Sequence, residues 1–219
     1  MTPAFDIRTI YQRALWRLRR LDSTYSIWQA SRSRERSIVI GGLVIELDNL
    51  VIGTMRLYVQ CIVRKHIRAG SLTISGISGR LSDSEFSWLI LNVFEPNKLR
   101  ALRKKGQKPG RRDEKSIRDP SEWITFLTTL GIATPNDFRN AMSLNLSFYN
   151  EIGVVRNFYA HRSKDTLARV AQKFPQLSYG IARHPDEIVT LAPVGIARAK
   201  YPQWSSEGKL FLSVAAGAP

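Results

Sequence analysis

Apolar residues recur at helical spacing over most of the chain. Ile10, Leu15, Leu18, Leu21, Tyr25 and Trp28 predict a first helix from about residue 6 to the SRSRER stretch. A second helix, predicted over about 37–68 and ending near Gly70, is apolar around most of its circumference. One polar stripe runs along it: Glu46, Asn49, Gly53, Arg56 and Gln60 follow three-and-four spacing, a pattern that addresses a site or an interface. The Ser- and Gly-rich SLTISGISG reads as a loop. Ser82, with Glu85 three residues on, forms a capping box ahead of FSWLILNVF. KKGQKPGRRD reads as a flexible basic connection. Ser121 precedes a short helix, EWITFLTTL, closed by Gly131, and Thr134-Pro135 opens another over NDFRNAMS. A helix over about 144–162 carries EIGVVRNFYAHRS, and DTLARVAQKF continues or restarts it. Beyond Pro175 the texture changes, and EIVTLAPV and KLFLSV read as two short strands. The pattern therefore predicts a mainly α protein: a helical domain over 1–174 and a C-terminal extension over 175–219 holding two small strands.

Residues 38–63 are long and apolar enough to suggest a membrane span. Glu46, Asp48, Asn49 and Arg56 interrupt them, and each charge would cost about 2.5–3.5 kcal/mol at the centre of a bilayer. The segment is read as a buried helix, with no membrane partner. The N-terminal MTPAFDIRTIYQR lacks the apolar core of a signal peptide. A single cysteine, Cys61, cannot form an intramolecular disulfide, and no Cys/His cluster suggests a metal. A cytoplasmic protein without cofactor or metal is expected.

Net charge changes the picture more. It is +15, and the excess is concentrated. Residues 98–118 hold ten Lys and Arg against two acids, and residues 8–36 hold eight Arg against Asp22 and Glu35. A concentrated basic segment suits a phosphate-rich partner, because neutralising phosphates releases counterions. Arg103, Lys104, Lys105, Arg111 and Arg112 are the candidate RNA-binding residues. A solvated loop that only aids solubility is the competing reading.

On the helix over 144–162, Phe148, Ile152, Val155 and Tyr159 form one narrow stripe, the core face. Arg156 and His161 lie off it, about 140° apart at 100° per residue. Gly153, Asn157 and Ala160 fall between them and leave room for another backbone or a ligand. A mid-helix glycine costs about 1 kcal/mol against alanine, so a close approach there is expected. The bland alternatives are a His capping a helix C-terminus and an Arg pairing with Glu151, although five residues is poor spacing for such a pair. His66 and His184 read as a surface cap and a turn residue.

Arg156-Asn157-x-x-x-His161, late in a helix of a basic helical domain, resembles the R-x4–6-H signature of the HEPN superfamily, over roughly residues 5–174. Glu46 is similar to the acidic position often found on an earlier helix of that family. The resemblance implies a four- to five-helix bundle that dimerises through its motif helices. It also implies metal-independent endoribonuclease activity of the toxin or phage-defence kind, with an antitoxin or a defence-complex subunit as possible partner. Some members are catalytically silent and bind nucleic acid or scaffold a protein, which is the alternative function. One toxin subgroup has a Tyr two positions after the His, and this chain has Ser163 there. The residue types suit the chemistry. RNA carries its own nucleophile, the 2′-hydroxyl, so cleavage needs a base and stabilisation of phosphorane charge. An imidazole such as that of His161 ordinarily titrates near neutrality. The fork of Arg156 can bridge two phosphate oxygens. Asn157 is expected to orient the substrate or the imidazole, and Glu46 to hold Arg156 or His161 in place. The products would be 2′,3′-cyclic phosphate and 5′-hydroxyl ends.

Overall fold

The computed structural model describes residues 6–218. Residues 1–5, where the leaderless reading of the N-terminus begins, lie outside the described residues. Eleven helices and no strand occur among the described residues, so the chain is mainly α.

Helix α1 (Ile7–Trp28) begins on Asp6, whose carboxylate accepts from Thr9 N–H at 2.7 Å. It ends at Trp28, two residues before the SRSRER stretch. A short turn leads into α2 (Arg36–Arg68), 33 residues long and, at 1.5 Å per residue, about 50 Å from end to end. Leu47, Val51, Met55, Tyr58 and Val59 are fully buried, because α1, α7 and α11 pack around this helix. Its length and apolarity would suffice to cross a membrane, yet more than half of its most apolar stretch is covered by the rest of the protein. That arrangement is compatible with a soluble protein.

The capping box forms as the sequence implies. Ser82 and Glu85 cap each other at the start of α3 (Asp83–Phe94), and three hydrogen bonds from Ser78 and Ser82 pull the Glu85 carboxyl down to about 2. Pro96 then starts α4 (Pro96–Lys104), which puts the first part of the basic segment 98–118 on a helix and ends where KKGQKPGRRD begins. Next come α5 (Pro120–Thr129), α6 (Asn136–Met142), α7 (Ser147–His161) and α8 (Lys164–Lys173). Arg162, at φ 46°, breaks the line between α7 and α8, so the second restarts rather than continues the first.

The two expected strands are helices. EIVT lies in α10 (Pro185–Thr190), which follows the four-residue α9 (Pro175–Ser178). Pro185 occupies its first turn and the His184 imidazole accepts from Asp186 N–H. KLFLSV lies in α11 (Lys200–Ala215). A short apolar run beside Gly-bearing turns suggested a strand there. The longer register, Tyr201, Trp204, Gly208, Phe211, Leu212 and Ala215, is buried at helical spacing and decides the outcome.

Helix α11 does not stand apart from the bundle, since one apolar cluster runs from Ile10 to Ala215. Tyr201 stacks on Tyr25 at 4.3 Å, and Gly208 lets α11 approach Val51 closely. The Trp204 indole N–H donates to Glu151 at 2.9 Å, and Lys200 pairs with the same carboxylate at 3.1 Å. Glu207 accepts from Phe148 N–H at 2.7 Å and from Ser147, so α11 caps the N-terminus of α7. Helix α7 meets α2 at Gly41, where a Cβ would come within 2.6 Å of the Tyr159 ring.

The buried Trp204 is the main fixing point of this C-terminal helix. Trp204→Ala leaves a cavity between α11 and α7 and frees a half-buried Glu151 oxygen, so it should cost about 3–5 kcal/mol. Urea unfolding followed by circular dichroism measures the loss.

Candidate functional site

The site is built where α7 crosses α2. Asp48, on α2, is 1% exposed and accepts from both Arg118 terminal nitrogens, each at 2.7 Å. The two bonds run in parallel, the bidentate geometry that gives such pairs direction as well as strength. Arg156, on α7, stands behind Arg118 in this contest. Its Nε lies 3.9 Å from the nearer Asp48 oxygen, is buried, and has no hydrogen-bond partner. The Arg156 side chain remains 28% exposed, and its Nη1 donates to Asn157 Oδ1 at 3.2 Å. Asn157 therefore touches Arg156, and it makes no hydrogen bond to the imidazole it was expected to orient. Glu151 is taken by Lys200 and Trp204, which leaves no local acid for Arg156.

His161 is the last residue of α7 and is exposed. It makes no hydrogen bond or ion pair among the described residues. Five residues separate it from Arg156, about 7.5 Å along the axis and 140° around it. Within one chain the helix holds the two side chains at neighbouring levels on different sides.

Glu46, expected to hold Arg156 or His161, faces the opposite neighbour. It pairs with Arg17 of α1 at 3.3 Å, with both side chains about half exposed. The acid turned toward α7 is Asp48, two residues on and about 200° around α2. The sequence did carry a signal for it: a carboxylate inside an apolar helix has to find a cation.

The segment after α4 is fastened rather than flexible. Arg56, only 6% exposed, donates to both Glu114 oxygens at 2.8 and 2.5 Å and to Asp83 at 2.9 Å. Burial works against the Arg56 charge, but the Glu114 and Asp83 carboxylates prevail and keep it firmly protonated. Ser87 donates to Glu114 as well, Ser84 bonds the Pro109 carbonyl at 2.8 Å, and Lys98 holds the Asp113 carbonyl. The candidate RNA-binding residues are thereby sorted. Arg103 lies over the Trp88 ring at 5.3 Å, beside exposed Lys104 and Lys105 at the end of α4. Arg111 and Arg112 are both exposed, and Arg111 seats a guanidinium nitrogen 3.0 Å from the point where a Gly53 Cβ would stand. Gly153 has the same relation to Arg118, at 3.1 Å. The space expected at Gly153 for a partner or ligand is thus filled by a side chain of the same protein.

These groups enclose a cleft of about 210 Å³ floored by α2 and α7 and walled by residues 111–118. Arg118 also lines a hollow of about 400 Å³ reaching Ile124, Asn145 and Tyr149. Guanidinium groups around a cleft can hold phosphate or carboxylate oxygens.

The other face of α7 ends in a second polar cluster. Tyr159 is on the core face, as its spacing implied, and donates to Asp186 at 2.6 Å, with Ser37 at 3.4 Å. Burial first, and the Asp186 carboxylate second, push the Tyr159 hydroxyl well above its ordinary range. For Asp186, burial raises the carboxyl, but the adjacent His184 ring and the hydrogen bond from Tyr159 outweigh it and hold it below its ordinary value. No protein-family model, curated protein or solved structure matches the chain.

Two outcomes follow from this geometry. Asp48→Ala strips Arg118 of its carboxylate and leaves two guanidinium groups facing each other. Because Arg118 is about one-third exposed, the loss should be about 2–3 kcal/mol, below that of a fully buried pair, and chemical denaturation reads it. Asp186 is depressed in the folded state, so its contribution is complete above the ordinary Asp range near 4 and is lost as pH falls through and below it. Tyr159→Phe should therefore lower stability by about 1–2 kcal/mol at pH 7 and by less at pH 3, as compared by urea midpoints.

Proposed function

We propose that the chain is a metal-independent endoribonuclease of the HEPN kind, working in the cytoplasm as a toxin or phage-defence effector. The carrying observation is the state of the two motif side chains. His161 ends α7 exposed and without an intramolecular partner among the described residues, and Arg156 keeps part of its side chain exposed with no carboxylate at hydrogen-bond distance, because Arg118 holds both Asp48 oxygens. Both are left able to engage a substrate. In this reading Arg156 bridges two oxygens of the scissile phosphate, and Asn157 steadies the guanidinium. His161 removes the 2′-hydroxyl proton, the 2′-oxygen bonds to phosphorus, and the bond from phosphorus to the 5′-oxygen breaks. That oxygen takes a proton from solvent, and the strand ends as a 2′,3′-cyclic phosphate and a 5′-hydroxyl. A second copy of the chain docks along the exposed side of α7, where Asn150, Asn157, Ala160 and His161 lie. Dimerisation would bring the Arg156 of one motif toward the His161 of the other. An antitoxin or defence-complex subunit would act at the same face.

One observation favours a second reading, a catalytically silent module that binds nucleic acid or scaffolds a protein. The 140° between Arg156 and His161 and the loss of Glu46 to Arg17 leave a lone protomer without a converged pair. Incubating purified protein with RNA in EDTA, and identifying the ends formed, separates the two. Under the first reading RNA is cut to cyclic-phosphate ends, and His161→Ala or Arg156→Ala lowers the rate by about 10²–10⁴ while the elution volume and helical spectrum are kept. Intact RNA with all three proteins, or an unimpaired variant, gives the catalytic reading up.

A further inference from the structure

We infer that the cleft between α2, α7 and residues 111–118 is a phosphate site. It takes, through Arg111 and Arg118, a backbone phosphate of the RNA strand adjoining the one at Arg156 and His161. The inference rests on RNA being the ligand of α7. It adds to the proposed site a subsite and a direction for the strand.

Charge is the first argument. Five cations line the cleft, Arg56, Arg111, Lys115, Arg118 and Arg156, against the carboxylates of Asp48 and Glu114. Glu114 and Asp83 close on Arg56, Glu122 on Lys115, and Asp48 on Arg118. Arg111 and Arg156 remain without a carboxylate at hydrogen-bond distance. An exposed arginine with no partner normally extends into water, where repulsion from its neighbours is screened. Arg111 instead lies against the backbone of α2 at Gly53, on the same small hollow as Arg118 and Arg156. An anion between them removes a repulsion that the protein alone leaves standing.

Shape is the second. At about 210 Å³ the cleft is below the roughly 300 Å³ at which pockets for drug-sized ligands begin, so it suits an anionic group rather than a whole nucleotide. The nucleoside has a place beside it. Arg118 is shared with the hollow of about 400 Å³, which offers Ile124 and Leu144 as apolar walls and the Asn145 and Asn150 amides. Tyr149 also lines that hollow and carries a buried hydroxyl without a hydrogen-bond partner. A strand following α7 back from His161 would meet Arg156, then Arg118 with Arg111, then this hollow.

Asp48 is the positioning residue. It uses two of the five N–H donors of Arg118 and fixes the plane of the fork, leaving three for phosphate. A lone Arg118→Gln would bury Asp48 without a full partner, so the tests are Arg111→Gln and the paired Asp48→Asn with Arg118→Gln. Arg198→Gln, exposed near the start of α11, removes the same charge elsewhere.

The probe is a short fluorescent 2′-O-methyl oligoribonucleotide, which has no free 2′-hydroxyl and cannot be cut. Anisotropy is read across about 50–200 mM salt, with circular dichroism as a check on folding. Arg111→Gln and the paired variant should each weaken binding about ten-fold or more, and each should flatten the slope of log affinity against log salt by about 0.7 for every phosphate no longer neutralised. Arg198→Gln should change neither appreciably. Failure of the wild type to bind, or wild-type affinity and slope in both variants, overturns the site. Displacement by 5′-AMP, as tight as the strand itself, would assign the arginines to a free nucleotide and overturn the strand. If the probe binds as expected while unmodified RNA stays whole, the subsite stands and only the cleavage reading falls.

Discussion

A charge carried on the central apolar helix must be matched where it stands, because neither Asp48 nor Arg56 can turn out to water from inside the bundle. Both are matched from the same short segment. Glu114 closes on Arg56 and Arg118 on Asp48, four residues apart on the partner side and eight on α2. Pairs of this kind add little net stability once desolvation is counted, but removing either partner is costly, so they act chiefly to fix position. Here they fix a strongly basic stretch of chain across the crossing of α2 and α7.

That fastening decides which arginines remain available. One carboxylate has two oxygens, and Arg118 occupies both in plane. Arg156 is left 3.9 Å away with only the Asn157 amide as a hydrogen-bond partner. Had Arg156 been the bidentate partner it would be a structural residue, tied down and neutralised. Its placement in second position instead leaves it oriented and without a carboxylate at hydrogen-bond distance. Two glycines allow the arrangement, since Gly53 and Gly153 let guanidinium groups lie directly on the helices that carry them.

The motif helix itself is held from a distance. Leu146 offers no side-chain cap at its start, and Glu207 supplies one from α11. Glu151, the acid nearest Arg156 in sequence on α7, is engaged by Lys200 and Trp204 of the same helix. Helix α11 thereby removes a local partner from Arg156 while it secures the register of α7 against the core. The C-terminal stretch, which the sequence set apart, is part of what defines the site.

The sequence by itself determined the helical class, most helix starts and the core stripe of α7, because these depend on neighbours within one or two turns. Ser82 with Glu85, the buried run of α2, and Phe148, Ile152, Val155 and Tyr159 are set by local capping and by periodicity. It also put Arg156, Asn157 and His161 off the core face. Only the tertiary structure decided where the acids went: Glu46 to Arg17, Asp48 to Arg118, Glu151 and Glu207 to α11. It likewise made a helix of KLFLSV and anchored a loop that composition describes as flexible. The physical reason is common to all of these. A charge pair or a packed face is satisfied by whichever partner the fold brings within a few ångströms, and partners separated by tens of residues leave no periodic trace in the chain.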